Sequence, residues 1–454
     1  MYEGIKVSVK EILLKFLSSI LDLSRNNNHH HKQTAFISLR IAELMGLSPE
    51  RRNNLFVASL IHDAGQLWGK EEEFRAILEP SNPTPWRHCL LAYLLLKDSP
   101  LITRLIPDVP RMILYHHTKF EKLTKPEKSR LLLPLIEFTR EEVPLESLII
   151  NIASTISMMI NDQIPILHQA EEIKERIKDL KDSFFPSDIV DAFLEASSKE
   201  EFWLALASPF IEEYLEAIYP LPEYIISEEE MVSLFQLICR FVDYKCALFA
   251  THSAAVSAMA EALAKLAQLS PDAVERLKIA GYIHDLGKLS LPLSIIVKKD
   301  KLTKEEFALV KVHPFTIYSL LSRTKGLEGL RELAGFHHER LDGSGYPFGL
   351  KGEELPFEAR LLAVVDVFSA LREKRPYRPA LEFDDAVKIL EEEAKEGKLD
   401  GEIVALLIKN LSDIDGIFLN THFSEMKEYR RISSIMASFF DGKVAAGLSR
   451  TEEI

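Results

Sequence analysis

Seven residues in the second half of this chain have side chains that suit divalent transition metals: His252, His284, Asp285, His313, His337, His338 and Asp366. Imidazole nitrogens mixed with carboxylate oxygens favour iron, manganese, zinc, cobalt or nickel over an all-oxygen magnesium or calcium cage. Seven donors are too many for one tetrahedral ion. They suit two ions that share a carboxylate and keep positions open for water. Two ions about 3.5–4 Å apart can hold a bridging hydroxide and clamp both oxygens of an in-line displacement at phosphorus. The chemistry expected is therefore hydrolysis of a phosphate ester. Any one of these histidines, taken alone, would be an ordinary surface or core residue. Asp366 says more, because it interrupts the apolar string Leu361–Phe368, where a carboxylate without a cation is costly to bury.

The same pattern occurs twice. When His30 is laid on His252, the sequence runs ungapped to Leu67 and Leu289, and thirteen of the thirty-eight pairs are identical. Leu47-Ser48-Pro49 meets Leu269-Ser270-Pro271, and Ile61-His62-Asp63 meets Ile283-His284-Asp285. A lone His-Asp pair carries no information, but two in register at the same distance from an earlier histidine mark an internal repeat. With small gaps, His88 parallels His313, His116-His117 parallels His337-His338, and Asn151 parallels Asp366. Asp188-Ile189-Val190 parallels Glu402-Ile403-Val404.

The elements that position these residues read as helices. Val256, Met259, Leu263 and Leu266 recur at three- and four-residue spacing and predict one apolar stripe. Ser270-Pro271 predicts an N-cap and a first turn. His284-Asp285 ends an apolar stretch, with Gly287 behind it. Strand-like alternation is missing over any useful length. The expected fold is all-α: two homologous helical-bundle domains in tandem, over 11–222 and 231–415, joined near Pro220 and Pro222, with a helical tail over 416–454.

The run His284-Asp285-Leu286-Gly287-Lys288, then His313-Pro314, then His337-His338-Glu339-Arg340-Leu341-Asp342-Gly343-Ser344-Gly345-Tyr346-Pro347, then Asp366 and Arg375-Pro376-Tyr377-Arg378 resembles the HD-GYP phosphodiesterases. The resemblance covers nearly all of the second domain. It implies an HD-type fold and hydrolysis of cyclic dinucleotides, chiefly cyclic di-GMP, to the linear dinucleotide or to GMP. It implies one metal on His252, His284, Asp285 and Asp366 and another on His313, His337 and His338, bridged by Asp285. Iron or manganese is expected ahead of zinc, cobalt or nickel. Asp285 and Lys288 are the expected catalytic residues. Lys288 is also expected to hold a phosphate oxygen, where charge grows in the transition state. Asp342, Gly343, Tyr346, Arg375 and Arg378 are expected substrate contacts. Some members hold a third metal through a Glu four residues before the first His. Leu248 stands there, so two metals are expected. Two other functions fit the same residues: a phosphohydrolase for a mixed cyclic dinucleotide or another nucleotide, and a non-catalytic cyclic-dinucleotide sensor.

The first domain keeps His30, His62, Asp63, His88, His116 and His117, but has Asn151 for Asp366 and Gln66 for Lys288. After His117 comes Thr118-Lys119-Phe120-Glu121, with no Gly-Tyr-Pro loop. It resembles the HD domain that precedes the HD-GYP domain in some members. It is expected to be regulatory or dimer-forming and to be a candidate metal binder without cleaving cyclic dinucleotides.

The totals agree with this reading. The chain has 454 residues, 47% of them apolar, with only 18 glycines. A net charge of −14 argues against long nucleic acid as a partner. Three cysteines fit no disulfide framework. The chain has no long apolar run and no signal-peptide pattern at its start. A cytoplasmic protein without a membrane partner is expected.

Overall fold

The computed structural model describes residues 11–23, 29–67, 86–124, 143–219, 226–244, 251–374 and 379–439. The described residues form helices and turns with no strand; an isolated bridge joins Lys181 and Phe185. The chain divides into two compact units, one of Tyr224–Arg430 with Met1–Phe16, the other of Leu17–Glu223 with Arg431–Ile454.

In the first unit of sequence, five helices carry the repeat: α1 (His30–Leu44), α2 (Pro49–Ile61), α3 (Trp86–Lys97), α4 (Val109–Leu114) and α5 (Leu145–Met159). Their counterparts are α6 (His252–Leu266), α7 (Pro271–Ile283), α8 (Val312–Arg323), α9 (Arg331–Gly335) and α10 (Phe357–Arg372). The repeat is visible in the local chemistry. Ser48 and Ser270 each accept a hydrogen bond from the backbone three residues on, with proline in the first turn behind them. Such a cap contributes about 1 kcal/mol. Ile189 and Val190, like Ile403 and Val404, are buried at the start of matching helices.

The second domain's core is built from α6, α7 and α10: Val256, Met259 and Leu263 meet Leu277 and Ala280 and, from α10, Leu362, Val365 and Phe368. The predicted stripe stops one turn early, because Leu266 is exposed in the last turn of α6. The expected tail boundary also differs. Residues 411–439 form one helix, α11 (Leu411–Phe439), and Gly416 does not break it. Ile414 and Phe418 join the second domain's core, and buried Glu425 pairs with Arg240 at 3.0 Å. Apolar contact on one face outweighs the intrinsic cost of a mid-helix glycine, about 1 kcal/mol.

Candidate metal centre

Helix ends supply six of the seven predicted donors in the second domain, and a helix interior supplies the seventh. His252 opens α6, His284 caps α7 with Asp285 behind it, and His313 is the second residue of α8. His337 and His338 follow α9, and Asp366 lies inside α10. Their donor atoms fall into two groups, His252–His284–Asp366 and Asp285–His313–His337–His338, with all atoms of each group within 4.8 Å of one another. Asp285 faces both. Its Oδ2 lies 3.6 Å from His252 Nε2 and 3.5 Å from His284 Nε2. Its Oδ1 lies 3.4 Å from His313 Nε2 and 3.8 Å from His337 Nε2. A bridging carboxylate has this form, with one oxygen turned to each group.

One local device aims three of the rings. Nδ1 of His284, His313 and His337 lies 2.8, 2.6 and 2.6 Å from the carbonyl oxygens of Gly281, Val310 and Ala334. A carbonyl only accepts, so Nδ1 carries the proton and Nε2 turns a lone pair towards Asp285. Burial pushes the imidazoles of His313, His337 and His338 down, which keeps them neutral. Burial alone would raise Asp285, but Lys288 and the surrounding imidazoles hold it well below the usual carboxylate range. Burial opposes ionisation at Asp366 too, and the imidazoles of His252 and His284 beside it outweigh burial, holding it well below the usual carboxylate range. Neutral imidazole and ionised carboxylate are the metal-binding forms.

The residues also fit a cation on a simpler test. His284 Nε2 and Asp285 Oδ1 are buried and make no hydrogen bond. A buried polar atom left unsatisfied costs about 1–3 kcal/mol, and a metal ion would satisfy both lone pairs. The approach of α8 that brings His313 in depends on Gly287. A Cβ there would sit 2.2 Å from the carbonyl oxygen of His313. Gly65 stands in the same relation to His88 O, at 2.0 Å.

The first domain repeats the arrangement. His30, and not its neighbours in the histidine triplet, joins His62 and Asp63 in one group; His31 instead pairs with Asp22 at 2.5 Å. Asp63 Oδ2 lies 3.4 Å from His30 and 2.9 Å from His62, and Oδ1 lies 3.2 Å from His88 and 3.6 Å from His116. Asn151 stands where the second domain has Asp366. Its amide donates to the carbonyl of Thr118 at 3.1 Å. The second group is His88–Cys89–His116–His117, and sequence reasoning did not include Cys89. Burial alone would raise the Cys89 thiol, but His116 and His88 bring it down to about 6. Burial alone would lower His116, but Cys89 and Asp63 hold it up at about 10.

Residues 28–159 match a family described as HD domain, and residues 236–403 match a second family of the same description. Each match contains one complete set of helix-end histidines and its His-Asp pair. The chain belongs to the HD-domain family. It carries two HD domains in tandem. The 3'3'-cGAMP-specific phosphodiesterase 1 of Vibrio cholerae is 28% identical over 395 residues, 84% of this chain and 87% of that protein. The cyclic di-GMP phosphodiesterase response regulator RpfG of Xanthomonas campestris is 36% identical over 195 residues, 42% of this chain and 51% of its own length. The fold is shared with the crystal structure of a cyclic GMP-AMP specific phosphodiesterase from V. cholerae. The TM-score is 0.63 and the identity 20%, covering 90% of this chain and 98% of that one.

Around the second HD domain's centre, the remaining predicted residues divide. Lys288 lies in the turn Leu286–Ser290 with its ammonium 2.6 Å from Asp285 Oδ2. The Tyr346 ring packs on His338, with centroids 4.9 Å apart, so the Gly-Tyr-Pro loop reaches the histidine–aspartate cluster. Gly343 takes a positive φ of 80°. A Cβ on Gly345 would come within 2.4 Å of the Arg340 backbone. Asp342 is not brought in. It is exposed, and its carboxylate accepts from the Ser344 backbone and hydroxyl. Arg375, Arg378 and Leu248 lie outside the described residues.

Two carboxylates that the sequence did not single out support this centre. Buried Glu339 accepts from the backbone N–H groups of Phe348, Gly349 and Leu350 at 2.7, 3.3 and 3.0 Å, pinning the loop from below. Buried Glu373 lies 3.0 Å from His252 Nδ1 and also accepts from the Ser369 hydroxyl. It fixes the ring and raises its basicity. In the first domain the neutral Ser157 hydroxyl takes that place beside His30, at 3.0 Å. Glu373→Gln is expected to keep the fold and lower metal affinity roughly ten- to a hundredfold, read by competition with a chromogenic chelator. An unchanged affinity would remove Glu373 from the centre.

Proposed function

We propose that the second HD domain is a metal-dependent phosphodiesterase that opens a cyclic dinucleotide at a phosphodiester bond. One observation carries the reading: a histidine–aspartate cluster in two groups, with one Asp285 oxygen turned to each and a tyrosine loop packed on His338. His252, His284 and Asp366 would hold one ion and His313, His337 and His338 the other, with Asp285 shared; iron and manganese suit the donors best. Bound there, the ions supply the charge that neutralises the phosphodiester and makes water acidic enough to attack at neutral pH.

The chain's own residues do the rest. Lys288 sits partly buried beside the shared carboxylate and can donate to a non-bridging phosphate oxygen, where negative charge grows. Tyr346, held against His338, offers an aromatic face to a base. Glu339 keeps that loop in place, and Glu373 keeps His252 aimed. The first HD domain lacks the tyrosine loop and the second carboxylate. Its Gln66, whose amide donates to Asp63 at 2.5 Å, brings no positive charge. We assign it no cleavage of cyclic dinucleotides.

Cyclic di-GMP is the substrate that the second domain's motif set favours. The mixed 3'3'-cyclic GMP-AMP is the second reading, favoured because the V. cholerae relative named for it aligns across both domains. Incubating the manganese- or iron-loaded full chain with each dinucleotide and resolving the products by chromatography tests both. Cleavage of one by at least about tenfold in kcat/KM over the other assigns the substrate. Binding of either without any cleavage would make the chain a sensor and refute the enzymatic reading. Lys288→Ala is expected to keep its metal and to lose turnover by roughly ten- to a thousandfold. Metal loss in that variant would mean that Lys288 only organises Asp285.

A further inference from the structure

We propose that the first HD domain holds a single thiophilic divalent ion, with the Cys89 thiolate as a ligand beside His88, His116 and His117. Its metal preference would then differ from that of the second domain. Buried cysteines are most often packing residues, and the geometry around Cys89 argues against that here. Its sulfur lies 3.5 Å from His88 Nε2, and His116, whose Nδ1 lies 2.7 Å from the carbonyl oxygen of Ile113, turns Nε2 into the cluster. The same His88 Nε2 lies 3.3 Å from His116 Nε2 and 3.2 Å from His117 Nε2. Bond lengths of about 2.0–2.1 Å to nitrogen and 2.3 Å to sulfur make the edges of a tetrahedral zinc site about 3.4 Å between nitrogens and about 3.6 Å from nitrogen to sulfur. The separations about His88 match those edges. Cys89 and His116 are fully buried and His88 is buried with them, while His117 is half-buried at the edge of the cluster.

Charge points the same way. In the second domain the anionic ligands are Asp285 and Asp366. The first domain has Asn151 in place of Asp366, with its amide committed to Thr118, so the His30–His62 group depends on Asp63 alone for charge. A thiolate at Cys89 puts the second negative charge in the other group. That group therefore becomes the tighter site, and one ion replaces two. Pro314 occupies the position of Cys89 in the second domain, so the second domain offers no thiolate there. Thiolate ligation selects zinc over manganese, which favours nitrogen and oxygen donors.

The test uses the full chain carrying Asp285→Ala, which disables the second domain's centre. Loaded with zinc, it is expected to retain one ion per chain that manganese does not displace. Loaded with cobalt(II), it is expected to show a near-ultraviolet sulfur-to-cobalt charge-transfer band that disappears in Cys89→Ser. A cobalt-loaded chain without that band overturns the proposal, whether or not the serine variant folds. So does a band that survives Cys89→Ser, or retention of two manganese ions by the Asp285→Ala chain. These readouts do not involve hydrolysis, so they stand or fall apart from the phosphodiesterase reading.

Discussion

Asp285→Ala is expected to strip both ions from the second domain and to lower cyclic-dinucleotide cleavage by at least roughly a thousandfold. The carboxylate lies within 4 Å of four imidazole nitrogens and of the Lys288 ammonium. Without it the His313–His337 group loses its carboxylate and the His252–His284 group is left with Asp366, so neither half of the donor set keeps a full complement. Asp285 follows the last turn of α7, and none of the backbone hydrogen bonds of that helix depend on its side chain. Helical content should therefore stay close to that of the unaltered chain. Metal content and circular dichroism on one preparation check the two halves of this statement. A variant that keeps its ions and a tenth of its turnover would show that Asp285 does not bridge.

Asp366→Asn is the second large effect, because it gives the second domain the residue found in the first. Asp366 Oδ1 lies 3.2 Å from His252 Nε2 and 3.7 Å from His284 Nε2, deep in α10. Asparagine keeps the shape and removes the charge. Breaking a buried charge pairing of this kind costs about 3–5 kcal/mol, so the affinity of the His252–His284 group should fall by roughly two to four orders of magnitude. The ion on the Asp285–His313 group should persist. One ion per second domain, with activity reduced by at least about a hundredfold, is the expected result of elemental analysis and steady-state assay. Equal loss of both ions would mean that the two groups do not load independently.

That these histidines and aspartates come together was legible in the sequence because residue types suited to metals recur in register at helix ends. His30 was separable from His29 and His31 by register alone, and His31 proves to be engaged with Asp22. The Ser-Pro caps of α2 and α7 were readable because serine and proline act through local geometry. What escaped was non-local. Glu373 meets His252 across a long sequence separation and, in the string Arg372-Glu373-Lys374, looks like a solvated charge. Glu339 was visible inside the motif, but its role depends on a loop that turns back to place three N–H groups over it. Cys89 reads as one more small apolar residue beside a histidine. The continuity of α11 past Gly416 depends on Ile414 and Phe418 finding the core, which local propensity does not reveal.

The account rests on two ions flanking Asp285. Anomalous diffraction from crystals of the manganese- or iron-loaded full chain, collected on either side of the metal edge, tests it most directly. Two peaks are expected in the second domain, one beside His252, His284 and Asp366, the other beside His313, His337 and His338, with Asp285 touching both. A single peak in the second domain, or two peaks that Asp285 does not join, would contradict it.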